Sequence, residues 1–151
     1  MVGYYCIRVV LFSWLCVYAN LHKIQRVQNT LAKIVLNNSA LPSTIALHQL
    51  HWLPVKQRIH YKLATLTYRA LQSGSPSYLS SLININNPPR PLRSASVSVL
   101  HVPFTTKAVG RKAFRFTAPT IWNSIPQNIR LLPSIGSFKR SLKTHLFSHP
   151  G

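Results

Sequence analysis

The chain of 151 residues contains no aspartate and no glutamate against 18 lysines and arginines, a formal charge of +18. About a quarter of residues are charged in an average domain, so about 15 to 20 acids would be expected at this length. No ion pair between a basic side chain and a carboxylate side chain can form, and no Glu–Lys pair one turn apart can support a helix. Uncompensated positive charge also works against the compact state. The isolated chain is therefore expected to be marginal at low salt and better ordered with added salt or a polyanion. Whole classes of chemistry are excluded as well. Two-metal phosphoryl transfer, carboxylate glycosidases, EF-hand sites and Ser-His-Asp triads all need side-chain carboxylates. The chain is expected to be no enzyme, to use no cofactor and to take no small-molecule substrate.

Cysteine is almost absent. Cys6 and Cys16, both in the first twenty residues, form neither a disulfide framework nor a zinc spacing. Histidine is more frequent, with His48 and His51 spaced H-x-x-H and His145 and His149 one helical turn apart. Neither pair has a nearby cysteine or acid to complete tetrahedral zinc, so surface histidines are the better reading and no metal site is expected. Long apolar runs are scarce too. Residues 1–19 are apolar apart from Arg8, an uninterrupted run too short for a confident transmembrane helix. Val9 to Ala19 could serve as a signal-peptide core, with Arg8 as its basic flank and Val17-Tyr18-Ala19 as a cleavage site.

Hydrophobic residues make up 46% of the chain, which argues against disorder, while 11 prolines cut it into short elements. One domain or two small lobes fit the length. The expected fold is mainly α: short helices, proline-rich loops, at most a small β element, and an incomplete domain.

Leu21, Ile24, Val27, Leu31 and Val35 recur at spacings of three and four, which predicts an amphipathic helix with Lys23, Arg26 and Lys33 off the apolar stripe. Asn37-Asn38-Ser39 supplies its stop. A short helix is expected over about Ser43 to Leu50, capped by Ser43 or Thr44. The clearest helix follows Pro54, with Val55, Ile59, Leu63, Leu66 and Ala70 on one face and Gly74 as terminator. Arg58, Lys62 and Arg69 align beside that face, and Tyr61 and Tyr68 fall one step further round, towards the outside. Residues 73–96, rich in proline, serine and asparagine, read as a linker with a short helical turn around Tyr78 to Leu82. Val97 to Phe104 reads as an edge strand at best, because of Pro103. Proline recurs at Pro119, Pro126 and Pro133, and a last helix starts at Ser134, with Ile135, Phe138, Leu142 and Leu146 on one face. Lys139 and Lys143 lie beside that face.

Basic residues interleaved with aromatics suit nucleic acid: cations neutralise phosphates, and tyrosine faces stack on bases. The bland alternative is a solvated charged face with tyrosines packed beneath. With no acid to offset +18, contact with RNA or DNA backbone is favoured. The candidate residues are Arg58, Lys62, Arg69, Lys139 and Lys143 for phosphates, with Tyr61 and Tyr68 as stacking candidates. Trp52 and Trp122, set among leucine, isoleucine and proline, read as core anchors.

Three blocks carry a resemblance: LHKIQRVQNTLAKIV (21–35), LHWLPVKQRIHYKLATLTYRAL (50–71) and PTIWNSIPQNIRLLPSIGSFKRSLKTHLF (119–147). In this order they resemble the C-terminal segment of non-LTR, LINE-type retrotransposon reverse transcriptases, over about residues 20–149. The resemblance implies a thumb-like and post-thumb region that helps to grip template and primer, downstream of a catalytic palm that is absent here. Its cationic members would be Lys23, Arg26, Lys56, Arg58, Lys62, Arg130, Lys139 and Lys143. The chain departs from the family in lacking the few acids found there, for instance before the stretch Gly110 to Phe114, as a drifting copy would. Residues 1–18 do not match it. The resulting division is an apolar segment 1–19, a helical thumb-like segment 20–72, the linker 73–96 and a C-terminal segment 97–149. The expected function is non-catalytic, sequence-independent nucleic-acid binding by a truncated fragment inside the cell. The alternative is a small secreted or membrane-associated cationic protein directed by residues 1–19.

Overall fold

The structure, a computed structural model, describes residues 20–86, 99–107 and 110–148. As expected, the fold is mainly α. The described residues form α1 (Leu21–Val35), α2 (Ser43–Gln49), α3 (Val55–Ser73), α4 (Ser77–Ser80), a 3-10 turn (Gly110–Lys112), α5 (Phe114–Ser124), α6 (Gln127–Arg130) and α7 (Ile135–Ser148). None of these helices is long and apolar enough to cross a membrane. They divide into two compact units, one of residues 20–59 with 146–148 and the other of residues 60–145. The division falls inside α3 and inside α7. The leader reading of residues 1–19 lies outside the described residues.

In the first unit α1 and α2 enclose a small core of Ala32, Ala46 and Leu47, bordered by Leu36, Leu41, Leu50 and Trp52. Helix α1 ends at Asn37, which takes the left-handed conformation (φ +49°) that asparagine tolerates. Its neighbour's N–H closes the end by donating to Lys33 O at 3.1 Å. Helix α2 ends the same way: His51 is left-handed (φ +52°) and Trp52 N–H donates to Leu47 O at 2.8 Å. The start of α2 corrects the expected cap. Pro42 holds the cap position and no side chain bonds there.

The apolar stripe of α1 is amphipathic as its spacing predicts, but it does not face the core. Ile24, Val27, Leu31 and Val35 are exposed, as is Ile34 at 67%. What faces inward is an amide cluster around Ala32. Gln28 is buried and its Nε2 donates to Leu53 O at 2.9 Å. The Oε1 of Gln25 accepts from Val55 N–H at 2.8 Å, satisfying a first-turn donor of α3 that has no partner within its own helix. Gln25 Nε2 in turn donates to Asn29 Oδ1 at 2.8 Å.

The second unit is built on α3, α5 and α7. Its buried side chains include Leu63, Ala64, Tyr68, Phe114, Ala118, Trp122, Phe138 and Leu142, with Ile83, Leu100, Ile125 and Ile129 from the connecting segments. Tyr68 and Phe138 stack with ring centroids 4.4 Å apart, and Trp122 lies 5.9 Å from Phe138. Trp122 is thus the core anchor expected of it. Gly74, at φ +63°, terminates α3 as expected. Ser134 Oγ accepts from Ser137 N–H at 3.1 Å and starts α7. Helix α5 runs through Pro119, which is fully buried, so core packing outweighs the hydrogen bond that proline withholds. In place of the expected edge strand the described residues show a single antiparallel bridge, Ile85 to Leu100; residues 97 and 98 lie outside them. Leu100 is held on its other side by an amide: its N–H donates to Asn123 Oδ1 at 2.9 Å, and Asn123 Nδ2 donates to Leu100 O at 2.8 Å.

Candidate nucleic-acid interface

Helix α3 positions most of the candidates. At about 100° per residue its buried side chains Val55, Gln57, Leu63, Ala64, Thr67, Tyr68 and Ala70 occupy a wide sector, broader than a single apolar stripe. Thr67 can be buried because its hydroxyl donates back to Leu63 O at 2.9 Å. Arg58, Lys62 and Arg69 are all exposed and fall within about 40° of one another. They lie on the face left to solvent. On α7, Lys143 is exposed and Lys139, one turn before it, is half-buried.

Tyr68 must be removed from the stacking candidates. It is only 3% exposed, its ring lies against Phe138, and its hydroxyl donates to Leu132 O at 2.7 Å. Because α3 is covered on more than one side, the position expected to look outward looks into the core. Tyr61, near the edge of the same sector, is half-buried. Arg130 is also buried, and desolvation pushes its guanidinium below the ordinary arginine value. Lys23, Arg26 and Lys56 are exposed.

One aromatic escaped sequence reading. Phe104 is 92% exposed, in a segment where His101 and Lys107 are exposed too. Its place directly after Pro103, as the last residue of the expected edge strand, was the available signal.

No protein-family model, curated protein or solved structure matches this chain.

The first unit also holds a cavity of about 330 Å³, lined among others by His22, Gln25, Asn29, Thr44, Lys56 and Gln57. Its wall is mostly apolar, with Leu21, Leu47 and Pro54 between the amide, hydroxyl and ammonium groups. Gln57 is 5% exposed, and its Oε1 accepts no hydrogen bond. Among the described residues no three histidines or cysteines gather in a way that would hold a metal ion. His51 ends α2 through its backbone and is exposed, and the ring of His48 meets Phe147 edge-on at 5.9 Å.

Proposed function

We propose that this chain is a reverse-transcriptase-derived segment, of the non-LTR retrotransposon type, that binds RNA or DNA through the phosphate backbone without catalysis and without sequence preference. The observation that carries the reading is the exposed row of Arg58, Lys62 and Arg69 on α3 in a chain with no acidic side chain. Arginine forks and lysine ammonium groups presented along one helix face can each neutralise a phosphate and release its counterion. Lys143, with Lys139 beside it, adds a second cationic segment on α7. Tyr61 and the exposed Phe104 offer aromatic surface for unpaired bases. Polymerisation is not part of the proposal, because the two metal ions of nucleotidyl transfer need carboxylates that the sequence does not contain. The origin is supported by the three sequence blocks in their order.

The test is binding of fluorescent single-stranded and duplex oligonucleotides as a function of salt. With about six phosphates engaged, log K falls against log salt with a slope of about −4 to −5, whatever the base sequence. A flat response, or no binding near 50 mM salt, would overturn the proposal.

A further inference from the structure

The outward face of α1 has a spacing of its own. Ile24, Val27, Leu31 and Ile34 follow one another at three, four and three residues, the alternation of a heptad seam, with Val35 beside them. All five are exposed, Val27 at 60%. They span an arc of about 100° and three turns of helix, about 16 Å. The helix does not need this face for its own unit, since Gln25, Gln28 and Ala32 make its inward contacts. A contiguous exposed apolar patch of this kind marks an interaction site.

We infer that this face of α1 docks an α-helix of another polypeptide, one carrying apolar residues at heptad spacing and carboxylates along its flank. The seam spacing selects a helix, because knobs at these positions fit between the side chains of a facing helix. The charge selects an acidic one. Lys23 borders the seam, with Arg26 and Lys33 further round the same side, and this chain has no carboxylate side chain to offer them. A second copy would bring another +18 and place lysine and arginine against their like. The inference stands apart from nucleic-acid binding, which uses the cations of α3 and α7.

The test uses the full chain and a synthetic 21-residue peptide with leucine at the two seam positions of each heptad and glutamate at the flanks. A companion peptide keeps the glutamates but has serine in place of leucine. Fluorescence anisotropy at 150 mM salt should show saturable binding of the first and not the second. Val27→Gln with Ile34→Gln, both at exposed positions and neutral in charge, should weaken that binding by more than about tenfold, as expected for two lost apolar contacts. Equal binding of the two peptides, or an undiminished affinity in the double variant, would mean charge attraction alone and overturn the inference. So would failure of the full chain to bind, the result expected if residues 1–19 or a second copy cover the seam. Preferential binding to anionic phosphatidylserine vesicles that the double variant loses would assign the face to lipid and overturn it equally.

Discussion

Replacing Arg58, Lys62 and Arg69 together by glutamine isolates the contribution of α3 to polyanion binding. At about 1.5 Å of rise per residue the three span about 16 Å of helix, within an arc of about 40°. Duplex DNA carries a charge about every 1.7 Å, so phosphates are dense enough to engage all three. Each engaged cation contributes about 0.9 to the salt slope on duplex and about 0.7 on a single strand. Losing three should flatten the slope by about 2.7 or 2.1, respectively. Between 50 and 200 mM salt, the affinity advantage of the natural chain should shrink by about 20- to 40-fold. Glutamine has nearly the helix propensity of arginine and lysine, and all three sites are exposed, so stability should move by less than about 0.5 kcal/mol. Anisotropy titrations at four or five salt concentrations read the slope, and a thermal melt checks the fold. Parallel lines for variant and natural chain would show that α3 is not the contact surface, whatever the absolute affinities.

Other consequences can be checked with the same samples. Phe104→Ala should weaken single-strand binding by about 1–3 kcal/mol without changing the salt slope. Tyr68→Phe should leave binding unchanged and lower stability by about 1–2 kcal/mol in urea titration, because Leu132 O loses its donor. Gln25→Ala should cost about 1–2 kcal/mol by stranding the Val55 N–H, whereas Gln57→Met should be neutral or stabilising, since Gln57 Oε1 has no donor to lose. Acid should do little. Ordinary domains lose stability below pH 5 as paired carboxylates protonate. Here no side chain is available to do so, and melts at pH 5 and pH 2, at fixed ionic strength, should agree within about 3 °C. Arg130 adds no slope in that range. Its folded value is lowered, so the unfolded chain holds the extra proton only in the alkaline window just below the ordinary arginine value, where stability rises with pH.

The helices themselves were legible because their punctuation is local. Asn37, Gly74 and Ser134 end or start helices by conformations and hydrogen bonds that their residue types supply. The cationic row on α3 was legible for a related reason: three long charged side chains on one side of a helix stay in water. Which other sides are covered was not legible. Tyr68 differs from a surface tyrosine through Trp122, Phe138 and Leu132, all more than fifty residues away. The orientation of α1 was hidden for the opposite reason. Its apolar periodicity is plain, but three side-chain amides, two of them bonded to backbone of the 53–55 segment, decide which way it turns. Pro119 reads as a break in sequence and is overruled by a buried environment assembled from the rest of its unit.

The bond from Gln25 to Val55 also constrains the order of folding. Helix α3 has no acidic residue in its first turn, and one of its leading N–H groups finds its acceptor on a helix thirty residues upstream. That end of α3 therefore gains its full hydrogen bonding only after a thirty-residue loop has closed, whereas the Gly74 end is completed locally. Helix growth should start from the C-terminal half of α3 and reach Val55 last. Docking of α1 then becomes the step that completes the first turn of α3.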